Sequence, residues 1–479
     1  MAAGCFDCLR EALDSYQTLR TVTGAAASSI ELATNGAFRA AALLALRQHE
    51  LGMVDDGYLK IAKELLASQP CGAWGCESAE RQLEVIGLLP AGAPGVMARP
   101  PDSDSQMADR LRFFRNRDVW LPLLRYSAPQ DLLSAYVWLA FACGPAGNMT
   151  RNDAASTVTA FEDVPLVAFK RGTCLTIQPD DLQRLLNADP RFAEIAYPLG
   201  LAALGRLKTG EAEAAFERAY AWHPQWPALT QSLANLAIAG EDFERALGFY
   251  EKTLSLESGA VEAVLGRVRA LTYLGRYEAS IAATDQLLQG RLYLGDARYW
   301  RAMDEYQLDR FDQAWSDIEE SAKLLVNALV PKLAGLIAYR RHELDVARVK
   351  FEESLQRNAM DCETSFYLGV TLAELRTWSR SADTFKVAVS CLDQAERELR
   401  LDIDRIRRSD DSPTRQARLI ASREQRIGSG RRMIAQATFN TAVAYLNLSR
   451  DADARPYAEK VADDEQFGER ARELLSRFR

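Results

Sequence analysis

From Ala193 onward the chain repeats itself about every 34 residues, and a period of that length leaves few folds open. Tyr197–Pro224 and Gln231–Ser258 each carry an apolar helical run, a Gly-bearing turn and a second run with Ala and an aromatic residue four apart. Gly200, Ala212, Phe216, Ala219 and Pro224 of the first align with Ala234, Ala246, Tyr250, Thr253 and Ser258 of the second. Small residues let the two helices of a unit approach, and large apolar residues fill the gap to the next unit. One unit cannot bury its own apolar face, so such units must stack. Nothing in the chain shows the alternation of a half-buried strand, which points to an all-α fold.

These residues resemble the tetratricopeptide repeat, with small residues at positions eight and twenty, an aromatic at twenty-four and often Pro at thirty-two. Further units follow at Leu271–Leu288, Tyr299–Ser321, Leu333–Leu355 and Phe366–Val389. A weaker unit spans Thr438–Val461, and Glu469–Phe478 would be a terminal capping helix. Together the seven units cover about 60% of the chain. The resemblance implies a right-handed α-solenoid of helix-turn-helix pairs, and the residue pattern divides the chain into 1–190, an irregular helical front of degenerate repeats, 191–391, the regular array, 392–434, an insertion, and 435–479, the last unit and cap.

The insertion is itself helical. Ser409–Pro413 (SDDSP) supplies a turn and a fresh helix start, since Ser and Asp accept orphan amides and Pro suits a first turn. An antiparallel hairpin follows, with Leu399, Ile403, Ile406, Leu419, Ile420 and Ile427 as seam residues. Its second half is rich in arginine. That charge either attracts an acidic partner or an anionic membrane surface, or belongs to a solvated hairpin whose arginines pair with its own acids at helical spacing. The hairpin has no aromatic stacking platform, so single-stranded nucleic acid is not an expected partner.

The chemistry available to an enzyme is sparse. Three histidines, His49, His223 and His342, stand far apart, and no nucleotide-binding, serine-hydrolase or zinc-protease motif occurs in the 479 residues. With neither a nucleophile beside a base nor a carboxylate pair in an apolar cleft, the expectation is a non-enzyme without cofactor or metal. A net charge of −8 argues against a body adapted to nucleic acid. No run of apolar residues is long enough to cross a membrane. Of 58 basic residues only ten are lysine, as in proteins of GC-rich bacterial genomes.

The eight cysteines offer the one alternative. Cys5-x-x-Cys8 lacks the following His of a haem tether, since Leu9 stands there. With Cys71 and Cys76 it would make a loosely spaced zinc site, and a thioredoxin-type role lacks its βαβ surroundings. Disulfides suit an exported protein, and Cys362 and Cys391 fall at one end of the same helix pair. Ala2-Ala3-Gly4-Cys5 also has the small-small-Cys ending of a bacterial lipoprotein processing site, which makes Cys5 a candidate lipid anchor. On this reading the cell envelope or export is favoured over the cytoplasm.

The resemblance also implies where a partner would bind. In tetratricopeptide arrays, positions two, five, nine and twelve of the first helix line the concave groove. Here they offer Gln231, Asn235, Leu265 and Arg269; then Asp296, Tyr299, Met303 and Tyr306; Leu329, Lys332, Leu336 and Tyr339; and Glu363, Phe366, Val370 and Ala373. This aromatic and apolar surface suits a protein or peptide partner and lacks the Lys/Asn/Arg pattern of chaperone-binding carboxylate clamps. The expected function is thus a scaffold or adaptor. The alternative is a redox or zinc protein built on the N-terminal Cys pairs, with the solenoid as docking arm. The same aromatics could instead pack against the protein's own helices.

Overall fold

The computed structural model describes residues 4–51, 53, 57–68, 79–80, 82–84, 86, 132–142, 164–167 and 179–477. Its described secondary structure is helical throughout, and the chain divides into two compact units, Met1–Ser232 and Leu233–Arg479.

The first unit contains α1 (Phe6–Arg20), α2 (Ala27–Leu51), α3 (Gly57–Ala67), α4 (Leu132–Ala142), α5 (Pro179–Ala188), α6 (Ala196–Gly205) and α7 (Thr209–Trp222). Helix α2 packs between α1 and α3, because Ala40, Ala41 and Ala42 allow close approach while Leu43, Leu44 and Leu46 fill the remaining space. The start of α1 is tied to the distant end of this unit. Glu194, fully buried, accepts from the Phe6 amide and from Arg47 Nη2, each at 3.0 Å. Trp222 Nε1 donates to Asp7 at 2.7 Å, and the Phe6 ring stands edge-on to both Tyr58 and Trp222. Burial pushes the Glu194 carboxyl up, and the Arg47 guanidinium only partly offsets this.

Helix α8 (Pro227–Ala239) carries the chain across the division. In the second unit, helix pairs stack in series: α9 (Phe243–Leu256), α10 (Val261–Tyr273) with α11 (Tyr277–Gln289), α12 (Leu294–Gln307) with α13 (Phe311–Ala322), α14 (Leu329–Arg340) with α15 (Leu344–Arg357), and α16 (Cys362–Glu374) with α17 (Trp378–Arg407). Then come α18 (Pro413–Asn447), α19 (Asp451–Lys460) and α20 (Gly468–Ser476). The fold is the tetratricopeptide-like, all-α stack that the repeat implies.

Each turn within a pair is built alike. Glu241, Gly275, Asp309, His342 and Arg376 take left-handed φ values, and the next amide reaches back to a carbonyl in the helix just ended. Asp242 N bonds Ala237 O at 2.9 Å, Arg310 N bonds Glu305 O at 2.8 Å, and Thr377 N bonds Leu372 O at 2.9 Å. This double closure satisfies orphan carbonyls at the helix end. The first helices, α10, α12, α14 and α16, each touch the first helix of the next pair. No comparable contact joins successive second helices among the described residues, so the first helices lie on the inside of the curve.

Cys362 and Cys391 are bonded to each other, joining the start of α16 to the middle of α17. The Pro413 start of α18 is capped by Ser412, whose side chain accepts from Arg415 N at 3.4 Å.

Candidate functional site

Several of the expected groove residues pack half-buried against the cores of the second unit. Tyr299, Met303 and Tyr306 pack half-buried over the core of Ala302, Ala314, Ile318 and Leu333. Leu336, Tyr339 and Tyr367 do the same over Ala338, Phe351 and Leu372. Each helix commits its other face to the core, so these rings sit at the boundary between core and solvent. Burial pushes the Tyr299 hydroxyl up to about 12. The Tyr339 hydroxyl is raised further still, first by burial and then by the Glu374 carboxylate it bonds. Both phenols remain protonated at neutral pH, and the Tyr339 hydroxyl already donates its hydrogen bond to Glu374.

The polar members are already engaged. Lys332 Nζ reaches Glu363 Oε2 at 2.7 Å and Asp361 Oδ2 at 3.1 Å. Burial alone would lower the Lys332 pKa, but the two carboxylates outweigh it and raise the value. Its charge is thus neutralised within the protein. Arg269 lies over the Trp300 ring at 5.9 Å, and Asn235 accepts from the Tyr250 hydroxyl at 2.7 Å. Gln231 falls in the first unit and is half-buried there.

Two expectations are corrected. Phe366 is only 5% exposed, packed on Phe385, Ala388 and Ala437 with Met433 beside them. It has the sequence position of a groove residue, but α18 covers it. Cys5 is fully buried and bonded to Cys8, and its sulfur also caps α1 by accepting from Cys8 N at 3.1 Å. A sulfur so engaged is not available to carry a lipid, so this pair is a local staple in the structure. Cys71, Cys76, Cys143 and Cys174 lie outside the described residues. Among the described residues, no three His, Cys, Asp or Glu side chains gather where they could hold a metal ion.

The hairpin makes a contact that charge counting did not anticipate. Its tip docks on the turn between α8 and α9. Arg415, only 5% exposed, donates to Leu236 O at 3.1 Å and pairs with Asp411 at 3.1 Å. Arg418 donates to Gly240 O at 3.1 Å and pairs with Asp242 at 2.8 Å. Arg423 bridges Glu241 at 2.5 Å and Asp402 at 3.0 Å. Elsewhere along the hairpin, Glu396 holds both Arg400 and Arg431 at 2.7 Å, which depresses its carboxyl to about 2. The arginines named here are thus answered by the protein's own acids and carbonyls.

No family model matches the chain, and no curated protein matches it. Solved structures are similar in fold. YrrB, described as a tetratricopeptide protein with an unusual peptide-binding site, is 16% identical over 54% of this chain and 98% of its own, with a TM-score of 0.29. A tetratricopeptide protein from Parabacteroides merdae is 13% identical over 61% of this chain and 99% of its own, at 0.33. The Cut9–Hcn1 assembly of the APC/C is 12% identical over 99% of this chain and 96% of its own, at 0.39.

Proposed function

We propose that the chain is a non-enzymatic scaffold whose second unit binds an extended, apolar and aromatic peptide segment along its inner helices. The observation that carries this reading is the row of half-buried side chains on successive inner helices, Tyr299, Met303 and Tyr306 on α12 followed by Leu336 and Tyr339 on α14. Aromatic and thioether side chains held at the core boundary offer contact area at low entropic cost, as binding anchors do. The Tyr299 and Tyr306 hydroxyls add hydrogen-bond donors for a peptide backbone. Because Lys332 is neutralised by Asp361 and Glu363, the surface selects for shape and apolar character over a terminal carboxylate. The test is a fluorescence-polarisation screen of a random peptide array on the full chain and on Tyr299→Ala/Tyr306→Ala/Tyr339→Ala. Peptides selected by the full chain should lose at least about tenfold in affinity on the variant. Equal affinity on both, with the variant folded by circular dichroism, would overturn the reading.

A further inference from the structure

We infer that the hairpin of α17 and α18 is a latch that closes over the inner face and must release for a partner to enter. This inference rests on the reading of that face as the binding surface. In the second unit the contacts run in a closed circuit. Helix α8 shares a core with α9 and α10, helix pairs follow one another on to α17, and the hairpin tip returns to the turn that follows α8. The hairpin thus spans from the last inner helices back to the first.

The clasp is built for a close fit. A Cβ on Gly240 would lie 2.7 Å from Arg415 Nη1 and 2.8 Å from its Cζ, so only glycine lets that guanidinium lie flat on the turn. Three arginines then meet two carbonyls and four carboxylates, Asp402, Asp411, Glu241 and Asp242. Contacts of this kind are directional and switch as a set, unlike a greasy seam.

Two glycines lower the helix propensity of the arm behind the clasp. Gly428, Ser429 and Gly430 lie inside the unbroken α18 where it passes from the hairpin to the stretch that packs in the array. Glycine inside a helix costs about 1 kcal/mol each relative to alanine. Packing does not require it here: the nearest atoms to a Cβ at Gly428 and Gly430 are 3.9 Å away. Beside Gly428 the two arms part around a cleft of about 490 Å³ lined by Ile403, Arg407, Glu424 and Ile427. Low helix propensity beside an open cleft marks this as the point where the arm bends on release, and the clasp is its catch.

The experiment uses the full chain without a ligand. Arg418→Glu/Arg423→Glu should raise amide exchange across residues 409–427 at least tenfold and leave the inner helices protected. Glu241→Arg/Asp242→Arg in that background should restore protection, while Gly428→Ala/Gly430→Ala in the wild type should slow exchange. Hydroxyl-radical footprinting of Tyr299, Tyr306 and Tyr339 reports access directly, and it should rise severalfold in the opened variant and fall back in the charge-swapped one. Unchanged exchange at 409–427 would overturn the clasp. Opened exchange with an unchanged tyrosine footprint would overturn the gating. Neither readout needs a peptide, so failure of the peptide-binding proposal is recorded separately in the polarisation screen.

Discussion

Gly335 and Phe351 face each other so closely that a Cβ on the glycine would lie 2.6 Å from the ring. Phe351 is fully buried, and the same pairing recurs between Gly369 and Phe385 and between Gly200 and Phe216. The ring is pressed on bare backbone, which sets the spacing of the two helices in a unit. Gly335→Ala should therefore destabilise the second unit by about 2–3 kcal/mol through overpacking. Urea denaturation checks this, and Gly335→Ala/Phe351→Leu should recover part of the loss. A cost below that of an ordinary surface substitution would show that the pair does not set the spacing.

That pairing also explains what could be read in advance. Gly335 and Phe351 lie in one unit, and their contact repeats at a fixed period, so it leaves a trace in the residue pattern itself. The clasp leaves none. Arg415 finds Leu236 O across a separation of 179 residues, and a run of arginines looks the same whether its partners are solvent, a neighbouring acid or a distant turn. Phe366 illustrates the same limit, since its repeat position is that of a groove residue and only the packing of α18 removes it from the surface. Cys5 was ambiguous for a different reason: a small-small-Cys run and a Cys-x-x-Cys overlap there, and burial distinguishes them. The Glu194–Arg47 pair, separated by 147 residues, has no sequence signature at all.

Leu207 should be replaceable by glycine with a gain in stability. It takes a φ of 59° at the turn between α6 and α7 while its side chain is 87% exposed. A branched residue in the left-handed region costs about 1 kcal/mol, and no packing is lost on its removal. Thermal unfolding of Leu207→Gly should show the first unit stabilised by about 0.5–1 kcal/mol, after the entropic cost of glycine in the unfolded chain. A fall in stability would mean that the exposed leucine makes contacts in solution.

The Cys362–Cys391 bond closes a separation of 29 residues. On the chain-entropy account, a loop of that size is worth about 3–4 kcal/mol. Thermal unfolding in the presence and absence of dithiothreitol should differ for the wild type, and the difference should shrink to what the remaining Cys5–Cys8 bond contributes in Cys362→Ser/Cys391→Ser. Cys391 is 9% exposed, so reduction should require a denaturing step or long incubation. A wild type indifferent to reductant even after reduction is confirmed by mass would remove this bond from the stability of the array.

The stability of the second unit should fall as pH rises from about 4 to 7, because Asp304 and Glu305 are acids held in the wrong environment for their charge. Asp304 is fully buried on α12, facing the hydroxyls of Thr272 and Ser280 without a hydrogen bond to either carboxylate oxygen. Burial raises it from 3.8 to about 6, which the two hydroxyls only partly offset. Glu305 next to it is raised to about 7, first by burial and then by the nearby Asp317 charge, with Arg301 and Arg310 opposing. A carboxyl whose folded pKa lies above its unfolded one binds more protons when folded, so its contribution is full below the unfolded value and is lost as pH rises through the folded value. For Asp304 the loss amounts to about 2–3 kcal/mol between pH 4 and pH 7. Urea midpoints measured at pH 5 and pH 8 should therefore favour pH 5 in the wild type, and Asp304→Asn should flatten the difference by stabilising the protein at pH 8. If Asp304→Asn left the pH dependence unchanged, the carboxyl would have to be solvated in a way its burial between α10, α11 and α12 does not allow.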